Sequence, residues 1–171
     1  MSAPLASGQA EISSAPPRFA AYFRVRHYEA DALGHVNNAT YLHYLEQAAI
    51  EHSAALGYTL ERYRQLGALF IVRRHEIEYL QPAAPGEIVQ VVTWAVEMQG
   101  ARATRAYEVY RYGVGQPAGG SAVPPDGFLG ANDESRAQLL VRARTLWVYI
   151  DVARGRPRRI PEALTADFLG A

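Results

Sequence analysis

The segment from residue 38 to residue 56 is apolar around most of its circumference. It is predicted to be an α-helix, because Asn37 or Asn38 can cap its first turn and Gly57 can end it. A helix on a protein surface carries its apolar side chains along one stripe. A helix that is apolar on most sides is therefore predicted to be wrapped by the rest of the domain. Its apolar residues include Tyr41, Leu42, Tyr44, Leu45, Ala48, Ala49 and Ile50.

Segments with the composition and alternation of β-strands flank this helix. One strand is predicted before it, at residues 19–26, and a short second helix follows it at residues 59–66. Four long strands are then predicted at residues 69–80, 88–98, 103–112 and 139–151. Because the connections between these strands are of hairpin type, the predicted fold class is α+β, with a curved antiparallel β-sheet wrapped around one long central α-helix.

The chain of 171 residues is long enough for one domain with a substantial core. Residues 1–17 are small and polar and are predicted to form a flexible N-terminal tail, which leaves residues 18–168 as the single domain. Residues 113–133 are rich in glycine and proline, so we expect a loop insertion without regular structure there. Such a loop is either a functional lid or a mobile decoration, and both interpretations stay open.

The composition excludes several kinds of function. The 17 basic residues balance the 17 acidic residues, so no net charge attracts nucleic acid or an anionic membrane. The sequence contains no cysteine, which excludes disulfide bonds, thiolate zinc sites and a cysteine nucleophile. No apolar run approaches the roughly 20 residues that a membrane span requires. We therefore expect a soluble, cytoplasmic protein that binds neither nucleic acid nor membrane.

A carboxylate, Asp31, lies in a predicted tight loop just before the long helix. The N–H groups that are unpaired in the first helical turn, together with the helix dipole, favour negative charge. Hydrolysis of a thioester places negative charge on the carbonyl oxygen, and one fixed amide donor there is worth roughly 10²–10³ in rate. A nearby carboxylate can attack the carbonyl carbon or deprotonate a water molecule. Gly34 permits close approach of the backbone to a substrate.

The stretch around this carboxylate, YEADALGHVNNATYLHYLE at residues 28–46, resembles the 4-hydroxybenzoyl-CoA thioesterase-like family of hot-dog proteins. That family includes thioesterases for acyl-CoA and for acyl carrier protein. The resemblance continues in residues 77–82, 85–87, 142–150 and 155–161. It covers about residues 18–168 apart from the insertion. The residues that carry it in the first stretch are Asp31, Gly34, His35, Val36, Asn37, Asn38, Tyr41 and Glu46.

The resemblance implies hydrolysis of an acyl-CoA or acyl carrier protein thioester, in a dimer or tetramer with active sites at subunit interfaces. It implies no metal and no other cofactor. Asp31 would be the catalytic carboxylate, and the backbone N–H of Asn38 would donate to the oxyanion. In relatives that act on acyl carrier protein the residue matching His35 is thought to assist catalysis, but Leu33 stands where they carry asparagine. The expected substrate-binding residues are Gly34, Asn37, Tyr41 and Glu46.

Each of these residues also has a structural interpretation. Asp31 could cap the loop, and His35 could hold it through hydrogen bonds to neighbouring backbone. Asn37 could be a simple N-cap, Tyr41 a core residue and Glu46 a charge on the helix surface.

Two other classes of function stay open. One is a hot-dog dehydratase or hydratase, although its relatives place the catalytic His and Asp differently. The other is a module that binds acyl thioesters without hydrolysing them.

Metal binding is not expected, because the histidines lack ligand spacing. The arginines at 73–74 and in residues 154–159 could bind CoA phosphates or be solvated charges.

Overall fold

A computed structural model of the chain describes residues 15–113, 126–129 and 136–171. A short 3₁₀-helix, His27–Glu29, follows the first strand. The helices are α1 (Asn38–Ala55), α2 (Leu60–Leu66) and α3 (Glu162–Leu169). The strands are β1 (Phe19–Arg24), β2 (Ala68–Tyr79), β3 (Ile88–Gln99), β4 (Arg102–Tyr112), β5 (Gly127–Phe128), β6 (Arg136–Asp151) and β7 (Arg156–Pro157).

All these strands belong to one curved antiparallel sheet, as the hairpin-type connections predicted. Their spatial order is β2-β6-β4-β3-β1-β5, with β7 added beside β6. Register shifts interrupt the pairing between Val72 and Arg74 of β2 and between Ala95 and Glu97 of β3. Bulges of this kind bend a strand and increase its twist, which helps the long strands to curve. The arrangement is consistent with the hot-dog fold that the resemblance implies.

The α1 helix packs against β1 and β3 on one side of the sheet. Its N-cap is Asn37, one of the two caps that the sequence allowed, and the Asn37 side chain accepts a hydrogen bond from the N–H of Ala39. Its buried residues are Tyr41, Tyr44, Leu45, Ala48, Ala49 and His52. The opposite side is open, since His43 is exposed and Ile50 is 54% exposed. The expectation of a helix wrapped on most sides is therefore not met within one chain, because the described residues cover one face of α1.

A second small core lies at one end of the sheet, where α3 contributes Leu164 and Phe168. This short helix was not predicted. It begins after Pro161 and ends at Gly170, whose φ is +72°. Its two buried side chains pack against Ala68, Ala95, Ala103 and Tyr149 of the sheet. No helix in the three described ranges is long and apolar enough to cross a membrane.

The insertion predicted at residues 113–133 is described only at residue 113 and at residues 126–129. There Gly127 and Phe128 form β5, which pairs with Ala20 and Phe19 of β1. The expectation of no regular structure is wrong for this short piece, because main-chain pairing with a sheet edge does not require strand-favouring residues. The remaining residues of the insertion, and residues 1–14 of the predicted tail, lie outside the described ranges.

Candidate active site

The loop that carries Asp31 is a tight turn closed by backbone hydrogen bonds. The N–H of Asp31 donates to the carbonyl oxygen of His35 at 2.8 Å. The N–H of Gly34 donates to the carbonyl oxygen of Asp31 at 3.0 Å. Gly34 has a φ of +76°, a left-handed conformation that side chains disfavour. Glycine at position 34 is therefore required by the turn itself.

This loop is fastened at both ends to the rest of the domain. The N–H of Val36 donates to the carbonyl oxygen of Ala83, and the N–H of Asn37 to that of Glu29, both at 2.8 Å. The Glu29 side chain accepts hydrogen bonds from the backbone N–H of Arg26 and the hydroxyl of Tyr44, both at 2.7 Å. Burial, and then the hydrogen bond to Glu29, raise the pKa of the Tyr44 hydroxyl. Tyr44 therefore stays protonated and ties the loop to α1.

The Asp31 side chain is exposed, and its two oxygens differ in their contacts. Oδ1 accepts hydrogen bonds from the N–H groups of Leu33 at 2.8 Å and His35 at 3.2 Å. Oδ2 makes no hydrogen bond within the described part of the chain. One oxygen thus caps the turn, as the structural interpretation expects, while the other is left available to react.

One of the first N–H groups of α1 is also unpaired. The Asn37 side chain caps the N–H of Ala39, and the Asn37 carbonyl accepts from the N–H of Thr40 at 2.9 Å. In the described ranges the N–H of Asn38 makes no hydrogen bond. The Tyr79 hydroxyl donates to the Asn38 carbonyl, which belongs to the following peptide, at 3.0 Å and so links the end of β2 to the first turn of α1. The amide N–H that the resemblance marks as the oxyanion donor is therefore free to donate to a ligand.

Two further predicted residues belong to this region, His35 within the loop and Tyr41 beside it. The His35 side chain is exposed and has no hydrogen-bond partner in the parts of the chain that are described. The Tyr41 hydroxyl is buried and accepts a hydrogen bond from the N–H of Ala83 at 3.2 Å. Burial raises the pKa of Tyr41. Tyr41 therefore supports residue 83, which in turn binds the backbone of Val36.

Glu46 is the one predicted site residue that lies away from the loop. It is eight residues beyond Asn38 on the same helix, which corresponds to about 12 Å along the axis. Its exposed side chain lines a separate cavity between α1, α2 and the sheet. Nowhere in the described ranges do three or more His, Asp or Glu side chains form a group that could hold a metal ion.

The sequence reasoning missed the exposed apolar side chains around the turn. Tyr28 is 77% exposed and Leu33 is 78% exposed, and Tyr79 and Leu80 at the end of β2 are also exposed. Large apolar side chains clustered at a surface indicate a contact with a ligand or with another protein. The sequence shows that these residues are apolar, but whether they are exposed depends on which parts of the fold pack over them. Within one chain the candidate site is open.

The two predicted arginine clusters are partly engaged in structural contacts. Arg74 forms an ion pair with Glu76 at 3.1 Å. Arg158 donates to the carbonyl oxygen of Leu66 at 2.9 Å, which links the segment after β7 to the end of α2. Arg73 and Arg154 are exposed. For Arg74 and Arg158, these contacts agree with a solvated or structural role.

Comparisons with known proteins agree with this fold. The family model described as the thioesterase-like superfamily matches residues 25–168. The structure is similar to that of a 1,4-dihydroxy-2-naphthoyl-CoA thioesterase from Synechocystis, with a TM-score of 0.67 and 17% identity over 88% of this chain and 95% of that chain. It is similar to a Staphylococcus aureus protein solved in complex with CoA, with a TM-score of 0.69 and 13% identity over 90% of this chain and 82% of that chain. No curated protein matches the sequence.

Proposed function

The chain belongs to the thioesterase-like superfamily, and from this premise we propose that it hydrolyses an acyl-CoA or an acyl carrier protein thioester. The products are a free acid and a thiol. The observation that carries the proposal is that one short segment contains both a carboxylate oxygen and a backbone N–H without hydrogen-bond partners. Oδ2 of Asp31 and the N–H of Asn38 both lack partners in the described ranges. The first can attack or activate water, and the second can stabilise an oxyanion.

Asp31 can act in either of two ways. As a nucleophile, Oδ2 attacks the thioester carbon, the thiolate leaves, and water then hydrolyses the acyl-aspartate anhydride. As a general base, it takes a proton from a water molecule that attacks the same carbon, and the tetrahedral intermediate then expels the thiolate, which takes up a proton. Both routes place negative charge on the carbonyl oxygen, where the N–H of Asn38 and the start of α1 stabilise it. His35 lies four residues after Asp31 in the same turn, and we propose that its exposed imidazole assists with proton transfer.

The contacts around the loop support this role by fixing the carboxylate. Leu33 and His35 hold Oδ1 through their backbone N–H groups, so the side chain of Asp31 has one preferred orientation. Glu29 ties the loop to Tyr44 on α1. A catalytic group held by such supporting contacts loses less entropy when the transition state forms.

A second copy of the chain is part of this proposal. Among the described residues, strand β2 lies at one end of the sheet and pairs on one side only, with β6. An unpaired edge of 12 residues is a template for another strand. Tyr79, at the end of β2, contacts the Asn38 carbonyl. Pairing of two β2 edges would therefore bring the partner chain close to the start of α1, where Tyr28 and Leu33 are uncovered. A tetramer and a cytoplasmic location remain predictions.

The proposal is tested by release of free thiol from a panel of acyl-CoA esters of different chain lengths. Asp31→Asn and Asp31→Ala are expected to lower kcat by at least about 10²-fold, as the loss of an essential catalytic group does. Glu61→Gln is the matched control, because Glu61 is an exposed acid whose ion pair with Arg64 is also exposed. Full turnover in both Asp31 variants would refute the assignment of Asp31. Hydration of crotonyl-CoA without thiol release would favour the hydratase alternative.

One observation favours a second candidate, a module that binds acyl thioesters without hydrolysing them. The two hydrogen bonds to Oδ1 of Asp31 are those of a carboxylate that caps a turn. Tight binding of an acyl-CoA without thiol release from any member of the panel would support this candidate. Isothermal titration of the same esters separates the two, because it measures binding whether or not turnover follows.

A further inference from the structure

A cavity of about 450 Å³ lies between α1, α2 and the end of the sheet. This volume is within the range of small-molecule sites, roughly 300–1,000 Å³. Its walls are mostly apolar and include Ile50, Leu60, Phe70, Met98, Trp147 and Phe168. A site of this kind suits a ligand with a substantial apolar part.

A charged side chain is buried in the wall of this cavity. Arg105 of β4 is only 7% exposed. Its guanidinium donates to Nδ1 of His52 at 2.8 Å and to the hydroxyl of Thr93 at 3.1 Å, and lies 5.4 Å from the centre of the Phe168 ring. No carboxylate in the described part of the chain pairs with it. A buried guanidinium without a counter-ion is costly, and burial lowers the pKa of Arg105.

The neighbouring groups do not supply the missing negative charge. His52 is fully buried, and burial followed by the charge of Arg105 lowers its pKa to about 3, so its imidazole is neutral. Tyr63 lies near the guanidinium, and burial raises its pKa, so its hydroxyl is neutral as well. Glu46 and Glu51 also line the cavity, but neither forms an ion pair with Arg105. The cavity therefore contains a cation that an anionic ligand would neutralise.

We infer that this cavity binds an apolar molecule that ends in a carboxylate, with the carboxylate on the Arg105 guanidinium and the chain against the apolar walls. Guanidinium and carboxylate match in geometry and can form two parallel hydrogen bonds. Ile50 is 12 residues beyond Asn38, or about 18 Å along α1. Within one chain this site is therefore separate from the Asp31 loop, and the inference goes beyond the proposed hydrolysis.

The test compares octanoate with octan-1-ol by isothermal titration against the full chain. Octanoate is expected to bind about 10- to 100-fold more tightly, which corresponds to a hydrogen-bonded charge pair. Arg105→Gln keeps a donor for His52 but removes the charge, and Arg105→Met fills a similar volume. Both variants are expected to lose the preference for octanoate. Arg102→Gln, an exposed arginine on the same strand, is the matched control and is expected to keep it.

Equal affinity for octanoate and octan-1-ol, or no binding of either by the wild-type chain, would overturn the inference. Retention of the preference by Arg105→Gln, with its fold verified by circular dichroism, would overturn it as well. The carboxylate can belong to a free acid or to the far end of a dicarboxylic acyl thioester. Since the cavity lies about 18 Å from Asn38 along α1, a thioester that reaches both places needs a long acyl chain. A preference for hexadecanedioyl-CoA over palmitoyl-CoA in thiol release, lost in Arg105→Gln, identifies the thioester. Octanoate binding without such a preference identifies the free acid.

Discussion

The hydroxyl of Tyr44 donates a hydrogen bond to Oε2 of Glu29 at 2.7 Å and so joins α1 to the loop that carries Asp31. The Glu29 side chain is only 11% exposed, so water replaces this contact poorly. The same oxygen also receives the backbone N–H of Arg26. The Glu29 carboxylate therefore fixes the position of the loop relative to α1.

Tyr44→Phe is expected to destabilise the domain and to loosen the loop. Loss of a hydrogen bond to a carboxylate costs about 1.5–3 kcal/mol of unfolding free energy. Urea unfolding measures this cost, and thiol release is expected to fall several-fold because Asp31 is held less firmly. Tyr149→Phe is the matched control, since it removes a buried hydroxyl that has no hydrogen-bond partner in the described residues. Equal losses of stability in both variants would contradict the prediction.

Gly34→Ala tests the turn itself. A Cβ at this position meets no atom within 4 Å, so the expected effect comes from the backbone conformation alone. A φ of +76° costs an alanine about 1–2 kcal/mol relative to glycine. We expect that loss in unfolding free energy, together with lower thiol release as the turn relaxes and moves Asp31. Gly127→Ala is the control, because Gly127 also has open space around it but no positive φ. A wild-type unfolding free energy for Gly34→Ala would contradict the prediction.

The local features of this site were predictable because they depend on neighbours in the sequence. The N-cap at Asn37, the turn glycine at 34 and the start of α1 each follow from a few adjacent residues. The long strands were found for the same reason, since alternation is a local signal. The ends of these strands agree with the predicted ends to within about three residues, which is the usual uncertainty of boundaries predicted from a sequence.

The features that were missed depend on distant parts of the chain. Arg105 and His52 are 53 residues apart and meet only because β4 passes beneath α1. The α3 helix is eight residues long, and its two buried residues are stabilised by packing rather than by helix propensity. The open face of α1 was unexpected. Apolar side chains indicate that a helix is buried, but they do not indicate whether the residues that pack over it belong to the same chain or to another one.

The buried pair of His52 and Arg105 predicts a pH dependence of stability. Burial, with a smaller effect of the Arg105 charge, lowers the pKa of His52 from 6.5 to about 3. In the unfolded chain the His52 imidazole takes up a proton below pH 6.5. In the folded chain it takes up that proton only near pH 3. The stabilisation is therefore complete above pH 6.5 and is lost as the pH falls, by about 1.4 kcal/mol for each pH unit.

The measurement is urea unfolding of the wild type and of His52→Gln at pH 5, 6 and 7. Glutamine keeps an acceptor for Arg105 but does not titrate, so the difference in slope between the two proteins isolates His52. We expect the wild type to lose stability more steeply than the variant below pH 6.5. Parallel curves would contradict a buried neutral His52.

The outer edge of β2 allows the proposed dimer to be tested without disturbing the sheet. Arg73 lies at the register shift between Val72 and Arg74 and has no partner residue on β6. Bulges and edge strands are the places in a sheet that accept proline. Arg73→Pro is therefore expected to leave the β2–β6 pairing intact but to block pairing with a second copy. Sedimentation is expected to show a wild-type dimer and a monomeric variant with little thiol release, whereas Arg73→Ala stays dimeric. A wild-type monomer, or an unchanged Arg73→Pro dimer, would exclude this edge as the interface.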